Sequence, residues 1–154
     1  MLTISLERAS PDDASWIAAL EQREDTRHFI ATYSAAEHGR NIIDPRMVYL
    51  RILDDGETAG FFILVLDRDG KSVEFRRVVV APERRGIGQS AVRAMEQYCR
   101  LELRRERIWL DVFDHNARGR HIYEKLGYEQ FGRSSYEGKP LFLYQKTVAH
   151  GLRP

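Results

Sequence analysis

Three groups of residues in this 154-residue chain have types and spacings that can do chemistry. The first is the turn Arg85-Gly86-Ile87-Gly88-Gln89-Ser90, which follows the apolar run Val78-Val79-Val80 and opens a helical pattern. A strand-to-helix turn exposes backbone N–H groups at the positive end of the helix dipole, a ready seat for an anion. Gly86 and Gly88 let the backbone approach a ligand and take positive φ. Arg84 or Arg85 can add a charge-assisted contact to a phosphate. The chain has neither G-x-x-x-x-G-K-S/T nor G-x-G-x-x-G followed by an acidic residue, which sets aside a nucleotide P-loop and a dinucleotide site. Taken alone, the segment also reads as a tight connection and nothing more.

The second group is Asn116 to Tyr128. Asn116 suits a helix cap. Tyr123 lies seven residues on, two turns or ~10 Å along the same face. A tyrosine there can border a cleft or simply pack. The third is Glu74, on the strand that leads into the turn. Its carboxylate can take a proton, pair with Arg76, or face solvent. His115, beside the cap, reads as solvent-facing, and His121 points off the Tyr123 face. Cys99 has no histidine near it in sequence and reads as a core thiol.

These residues need elements to hold them. Leu2 to Leu6 alternates as a strand. Ser10-Pro11-Asp12-Asp13 starts a helix with an apolar side at Trp16, Ile17 and Leu20. A second helix is expected over about Asp25 to His38, broken at Asp44-Pro45. Met47–Leu53, Gly60–Leu66 and Val73–Val80 form a strand meander joined by Asp/Gly turns. Gly88 to about Arg104 is a helix, with Ala91, Val92, Met95 and Cys99 on one face. Arg107–Phe113 is a strand, and Asn116–Leu126 is a helix stopped by Gly127. Tyr128–Arg133 and Leu141–Lys146 are closing strands. No repeat or linker interrupts the order, so a single domain over 1–154 is expected, an α/β fold with a mixed sheet and helices on both faces.

The segment Val78 to Ser90 resembles the acetyl-CoA motif of the GNAT superfamily of N-acetyltransferases, Q/R-x-x-G-x-G/A, with Arg85, Gly88 and Ser90 at its three fixed positions. Ser90 departs from the usual Gly or Ala. Asn116 to Tyr128 is similar to the family's N-x-x-A-x-x-x-Y-E-K-x-G-F, matched by Asn116, Tyr123, Glu124, Lys125, Gly127 and Tyr128. Gly119 stands where Ala is usual. The likeness covers about Val73 to Gly132; the first 45 residues agree only in topology. It implies a GNAT-like, mostly antiparallel mixed sheet. It implies a cofactor site in which amides from Arg85, Gly86, Ile87, Gly88, Gln89 and Ser90 meet a pyrophosphate. Val78, Val79 and Val80 would pair with the pantetheine arm as with another strand, and Asn116 and Tyr123 would border the site. The implied reaction is direct acetyl transfer from acetyl-CoA to a primary amine in a ternary complex, without a metal. Tyr123 is then a sensible acid for the departing thiolate, an N–H near Val80 steadies the oxyanion, and Glu74 is the expected base.

Composition narrows the partners. Lys plus Arg number 24 against 23 Asp plus Glu, a net charge of +1, so no nucleic-acid or membrane partner is expected. The arginine pairs Arg76-Arg77, Arg84-Arg85 and Arg104-Arg105 read as solvated faces or single-phosphate contacts. The opening MLTISLERAS lacks the apolar run of a signal peptide, and a single cysteine suits a reducing compartment, so a cytoplasmic location is expected. A homodimer is plausible from exposed sheet edges. The acceptor is an amine, either a small molecule or a protein N-terminus. Its expected contacts lie in about 27–41, with Arg27, His28, Phe29, Tyr33, His38 and Arg40, and in the hairpin around Ser134 to Pro140. The alternative is a non-catalytic acetyl-CoA sensor of the same fold.

Overall fold

The computed structural model describes residues 3–23, 32–81, 84 and 86–148. Its strands are β1 (Ile4–Arg8), β2 (Met47–Asp54), β3 (Glu57–Leu66), β4 (Ser72–Val80), β5 (Arg107–Phe113), β6 (Glu129–Tyr136) and β7 (Lys139–Thr147). Its helices are α1 (Ala14–Glu21), α2 (Ala35–Ile42), α3 (Gly88–Leu101) and α4 (Ala117–Lys125). The strands form one sheet in the order β1-β2-β3-β4-β5-β7-β6. Neighbours run antiparallel except β4 and β5, which are parallel and joined through α3. The mixed, mostly antiparallel sheet expected from sequence is what forms.

Each face of the sheet has its own core. On one, Ala91, Val92, Met95 and Cys99 of α3 meet Leu50, Phe62, Phe75, Ile108 and Leu110. On the other, Ile17 of α1 meets Met47, Tyr49, Phe61, Ile63 and Val79, with Ile42 of α2 packed against them. Consecutive strand residues point to opposite faces, so Phe61 and Phe62 of β3 fill one core each. Burial pushes the Cys99 thiol up to about 12, which leaves it an inert core group.

Several boundaries differ from expectation: β3 starts earlier, at Glu57, β6 runs on to Tyr136, β7 spans Lys139–Thr147, and three further differences follow. The second helix begins at Ala35 and runs to Ile42, not from Asp25 to His38; residues 25–31 lie outside the described set. The start is fixed by a capping box. The Ser34 hydroxyl accepts from the Glu37 N–H at 3.1 Å, and the Glu37 carboxylate accepts from the Ser34 N–H at 2.8 Å. α3 stops at Leu101 because Arg104 turns left-handed (φ 57) and the Arg105 N–H closes back on the Cys99 carbonyl at 2.9 Å. β1 is shifted to Ile4–Arg8, with Leu2 outside the described residues. At α4 the expectation holds: Gly127 takes φ 97 and the helix ends there.

Candidate active site

β4 and β5 pair only over Ser72–Glu74 and Arg107–Trp109. Beyond those residues β4 continues to Val80 and β5 to Phe113 without bonding to each other. A bulge accompanies the divergence. The pairing of β4 with β3 steps from Leu64↔Phe75 to Ile63↔Arg77, so Arg76 is an extra residue. A bulge bends its strand and re-aims the side chains on either side of it. Phe75 and Val78, three apart, thus both face α3 and α4, whereas Arg77 and Val79 face α1. Between the parted strands lies a cleft of about 530 Å³. Glu74 to Val80 and Leu110 to Phe113 form its walls, and Tyr33, Asn116, Tyr123, Tyr136 and Leu141 its rim.

The expected site residues fall in two places. Glu74, Val78, Val79, Val80, Asn116 and Tyr123 line the cleft together. The turn after β4 leads away from its end. Gly86 has φ 94, as expected, but Gly88 is the first residue of α3 and does not take positive φ. A Cβ added at either glycine would meet nothing within 4 Å, so the backbone there is open to a ligand. Ile87 is 2 % exposed and anchors the turn in the core. The Ala91 N–H makes a helical bond to the Ile87 carbonyl. That leaves the N–H groups of Gly88, Gln89 and Ser90 at the open start of the helix. Arg85 lies outside the described residues. Arg84 does not match the phosphate role: its guanidinium binds Asp54 at 3.4 Å and Glu57 at 2.5 Å, tying the turn to the β2–β3 hairpin.

α4 brings the two remaining expected residues. The Asn116 carboxamide oxygen accepts from the Gly119 N–H at 2.9 Å, the cap read from sequence. A Cβ on residue 119 would come within 2.7 Å of the Asn116 amide nitrogen as it stands, so a larger residue there would require the Asn116 side chain to shift. Tyr123 is half-buried, edge-on to Phe75 (centroids 5.7 Å) and to Tyr128 (6.0 Å). Its hydroxyl has no hydrogen-bond partner among the described residues. Burial first, and then the charge of Asp111, push it up to about 12, so it keeps its proton at any working pH.

Sequence reading missed Asp111. β5 sends Ile108, Leu110 and Val112 into the core and Trp109, Asp111 and Phe113 the other way. Asp111 is therefore one carboxylate between two aromatics, and that alternation was the available signal. It is solvent-accessible at the cleft and makes no ion pair among the described residues. Surrounding protein and the nearby Glu74 raise its pKa, against smaller opposing pulls from Arg76 and Arg77. Glu74, by contrast, is gripped by Arg76. Its two oxygens accept from Nη2 at 2.8 Å and from Nε at 3.1 Å.

The expected acceptor contacts divide. Arg27, His28 and Phe29 lie outside the described residues. Tyr33 lines the cleft, and Tyr136 does so from the β6–β7 hairpin. Arg40 is exposed on α2. His38 is fully buried and contacts no cleft space: its Nε2 meets Glu21 and its Nδ1 meets the Tyr49 hydroxyl, each at 2.7 Å. Glu21 also ion-pairs with Arg77 and accepts from the Tyr33 N–H at 3.1 Å. Burial alone would raise the Glu21 carboxyl, but His38, Arg77 and Tyr33 outweigh it and hold it below the usual range. Arg76-Arg77 is thus not a solvated pair: Arg77 is buried and Arg76 borders the cleft.

Among the described residues, no group of His, Cys, Asp and Glu is placed to hold a metal ion, and no helix is long and apolar enough to cross a membrane. The acetyltransferase (GNAT) family model matches residues 9–128. A solved structure of spermidine N-acetyltransferase from Vibrio cholerae in complex with CoA and spermine is similar at TM-score 0.79 and 18 % identity, covering 94 % of this chain and 95 % of that one. An N152L mutant of the same enzyme gives 0.79 at 19 %, covering 94 % of each chain. An acetyltransferase of the GNAT family from Streptococcus pneumoniae gives 0.73 at 17 %, covering 96 % of this chain and all of that one. At such identities these structures share the fold.

Proposed function

The chain belongs to the GNAT family of acetyltransferases, and we propose that it transfers the acetyl group of acetyl-CoA to a primary amine by direct attack in a ternary complex. One observation carries the reading. The unpaired length of β4 shares one cleft with a carboxylate of raised pKa, Asp111, and with the Tyr123 hydroxyl, which has no partner among the described residues. The chain fits the cosubstrate on its own features: an open glycine backbone at Gly86 and Gly88, free amides at the start of α3, and a strand edge at Val78–Val80. Acetyl-CoA supplies the thioester. The backbone of Val78 to Val80 holds the pantetheine arm by strand addition, and the amides of Gly86 to Ser90 receive the pyrophosphate.

Asp111 receives the acceptor ammonium and takes the proton that frees its lone pair, the role first expected of Glu74. Both Glu74 oxygens accept from the Arg76 guanidinium, which occupies the carboxylate an ammonium would need. Asp111 has no such partner. An N–H of β4 near Val80 steadies the oxyanion. Tyr123 donates a hydrogen bond to sulfur as negative charge collects there; the C–S bond breaks as the C–N bond forms, and the second nitrogen proton goes to the departing thiolate, which leaves as the CoA thiol. Glu74 positions Arg76.

A sensor that binds without transfer has no use for this pair of groups. The buried single thiol of Cys99 suits the cytoplasm, where we place the protein. The test is free CoA release over a panel of amines, read beside thermal unfolding with and without acetyl-CoA. A ligand at 100 times its Kd adds ~2.7 kcal/mol. No stabilisation and no release would refute the reading; stabilisation without release over the whole panel would establish the sensor.

A further inference from the structure

The charges at the cleft discriminate among amines. The bulge puts Arg76 and Arg77 on the same face of β4, and Arg76 stands at the second position past the last β4–β5 pair, level with Asp111 on β5. Within the Arg76–Glu74 pair the guanidinium is the outer partner, 32 % exposed against 12 % for the carboxylate. Arg77 has its counter-charge, Glu21, behind the wall and away from the cleft lining. An incoming molecule therefore meets one unpaired carboxylate, Asp111, beside an exposed guanidinium. That arrangement complements an ammonium with an oxygen acceptor close by. It opposes a second ammonium, which would have to lie against Arg76.

We propose that Arg76 selects the acceptor, binding the carbonyl or carboxylate oxygen of an α-amino-acyl group whose amine faces Asp111. The proposal rests on the acetyl-transfer reading and narrows it. The ligand chemistry is ⁺H₃N–CHR–C=O, from a free amino acid or from the first residue of a peptide. Polyamines, such as the spermine of the Vibrio cholerae complex, are disfavoured. Arg76 gives Nε and one Nη2 proton to Glu74 and one Nη1 proton to the Tyr33 hydroxyl, which leaves one N–H on each terminal nitrogen for an oxygen, and charge-assisted bonds of that kind are strong and directional.

The experiment is CoA release by the full chain with alanine, alaninamide, an alanine-led tetrapeptide, benzylamine and spermidine. The carbonyl-bearing amines should exceed spermidine at least tenfold in kcat/KM. Alanine against the amide and tetrapeptide separates a free amino acid from a peptide end. Arg76→Gln should lower kcat/KM for the carbonyl-bearing acceptors roughly tenfold to hundredfold. The same change frees Glu74 as a second anion and should raise kcat/KM for spermidine. Arg76→Lys, which keeps the charge without the fork, should fall between. Stabilisation by acetyl-CoA reports that the variants are folded. Spermidine as the best wild-type acceptor, or an equal loss on every acceptor in Arg76→Gln, overturns the assignment of Arg76 alone. No release from any acceptor overturns the transfer reading beneath it.

Discussion

Tyr123→Phe tests the chemistry most directly, and its magnitude follows from the surroundings of the hydroxyl. The ring packs edge-on against Phe75 and Tyr128, and phenylalanine keeps those contacts. The hydroxyl has no partner among the described residues, so its removal orphans nothing, and stability should change by less than about 1 kcal/mol. In catalysis the hydroxyl can act in two ways. Full proton transfer is worth roughly 10²- to 10⁴-fold. Yet a phenol pushed up to about 12 facing a thiol of ordinary pKa ~8.5 gives up its proton at a cost of roughly 5 kcal/mol. Hydrogen-bond donation to the developing thiolate carries no such cost and is worth ~1.5–3 kcal/mol, roughly 10- to 150-fold. The second effect wins. Tyr123→Phe should lower kcat by roughly 10²-fold, with stabilisation by acetyl-CoA and the KM for both substrates nearly intact. The wild-type pH–rate profile should show no basic limb from this residue below about pH 11. Stopped and continuous CoA-release assays between pH 6 and 10 measure both. A loss of 10⁴-fold, or a basic limb near pH 9 that disappears in the variant, would refute hydrogen-bond donation. Unchanged turnover would remove Tyr123 from the chemistry altogether.

The other predictions separate base, support and backbone. Asp111→Asn should lower kcat/KM by roughly 10²- to 10⁴-fold at neutral pH and abolish the acidic limb. In the wild type that limb lies above the usual aspartate range, because the free carboxyl is raised and the rate falls as pH drops through it; Glu74→Gln should keep the limb, and the reverse pattern would return the base to Glu74. Glu21→Gln leaves Arg77 buried without its counter-charge and should cost about 3–5 kcal/mol, seen as a Tm lower by ~10 °C. The wild-type contribution of Glu21 is full above the unfolded pKa near ~4.3. It is lost as pH falls through the lower folded value, so the Tm gap between the two proteins should narrow in acid. Gly60→Ala sets a Cβ 2.2 Å from the Val79 carbonyl oxygen and 2.9 Å from the Val80 Cα. It should destabilise by about 1–3 kcal/mol and weaken the acetyl-CoA thermal shift, because the displaced backbone is the cosubstrate's strand edge.

Much of the proposed cosubstrate side was legible in the sequence because backbone carries the proposed contacts there. Contiguous glycines, a valine run and a capped helix are local patterns, and local patterns survive without tertiary information. Tyr123 and Asn116 were legible for the same reason: one helix with a cap at its start fixes both. The acceptor side was not. Asp111, Arg76, Tyr33 and Tyr136 come from four separate elements, and only the parting of β4 from β5 brings them together. A bulge has no strong sequence signature, so Arg76 and Arg77 read as a solvated face or a single-phosphate contact. The late start of α2 was a different miss. Ser34-x-x-Glu37 is a legible capping box, but the polar stretch before it also satisfied a helical pattern.

The two faces of the sheet divide the task. The α3 and α4 side is apolar, and it anchors Ile87 and packs around Tyr123. The donor half of the site is thus built on well-packed, directional contacts that tolerate little change. The α1 and α2 side holds the Glu21–Arg77 ion pair, with His38 hydrogen-bonded to Glu21, behind the cleft wall. A hydrogen-bonded charge network fixes the position of what it touches at little gain in stability, since desolvation offsets much of the attraction. Its use here is positional. Glu21 binds the side chain of Arg77 and the backbone of Tyr33 at once, and Tyr33 in turn receives Arg76 at 3.4 Å. Arg76, which we propose meets the acceptor, is therefore braced by Tyr33 at the cleft and, through the Tyr33 backbone, by Glu21 behind the wall. Changes on this face can re-aim Arg76 without disturbing the Gly86–Ser90 turn, so acceptor choice can vary while the cosubstrate site stays the same.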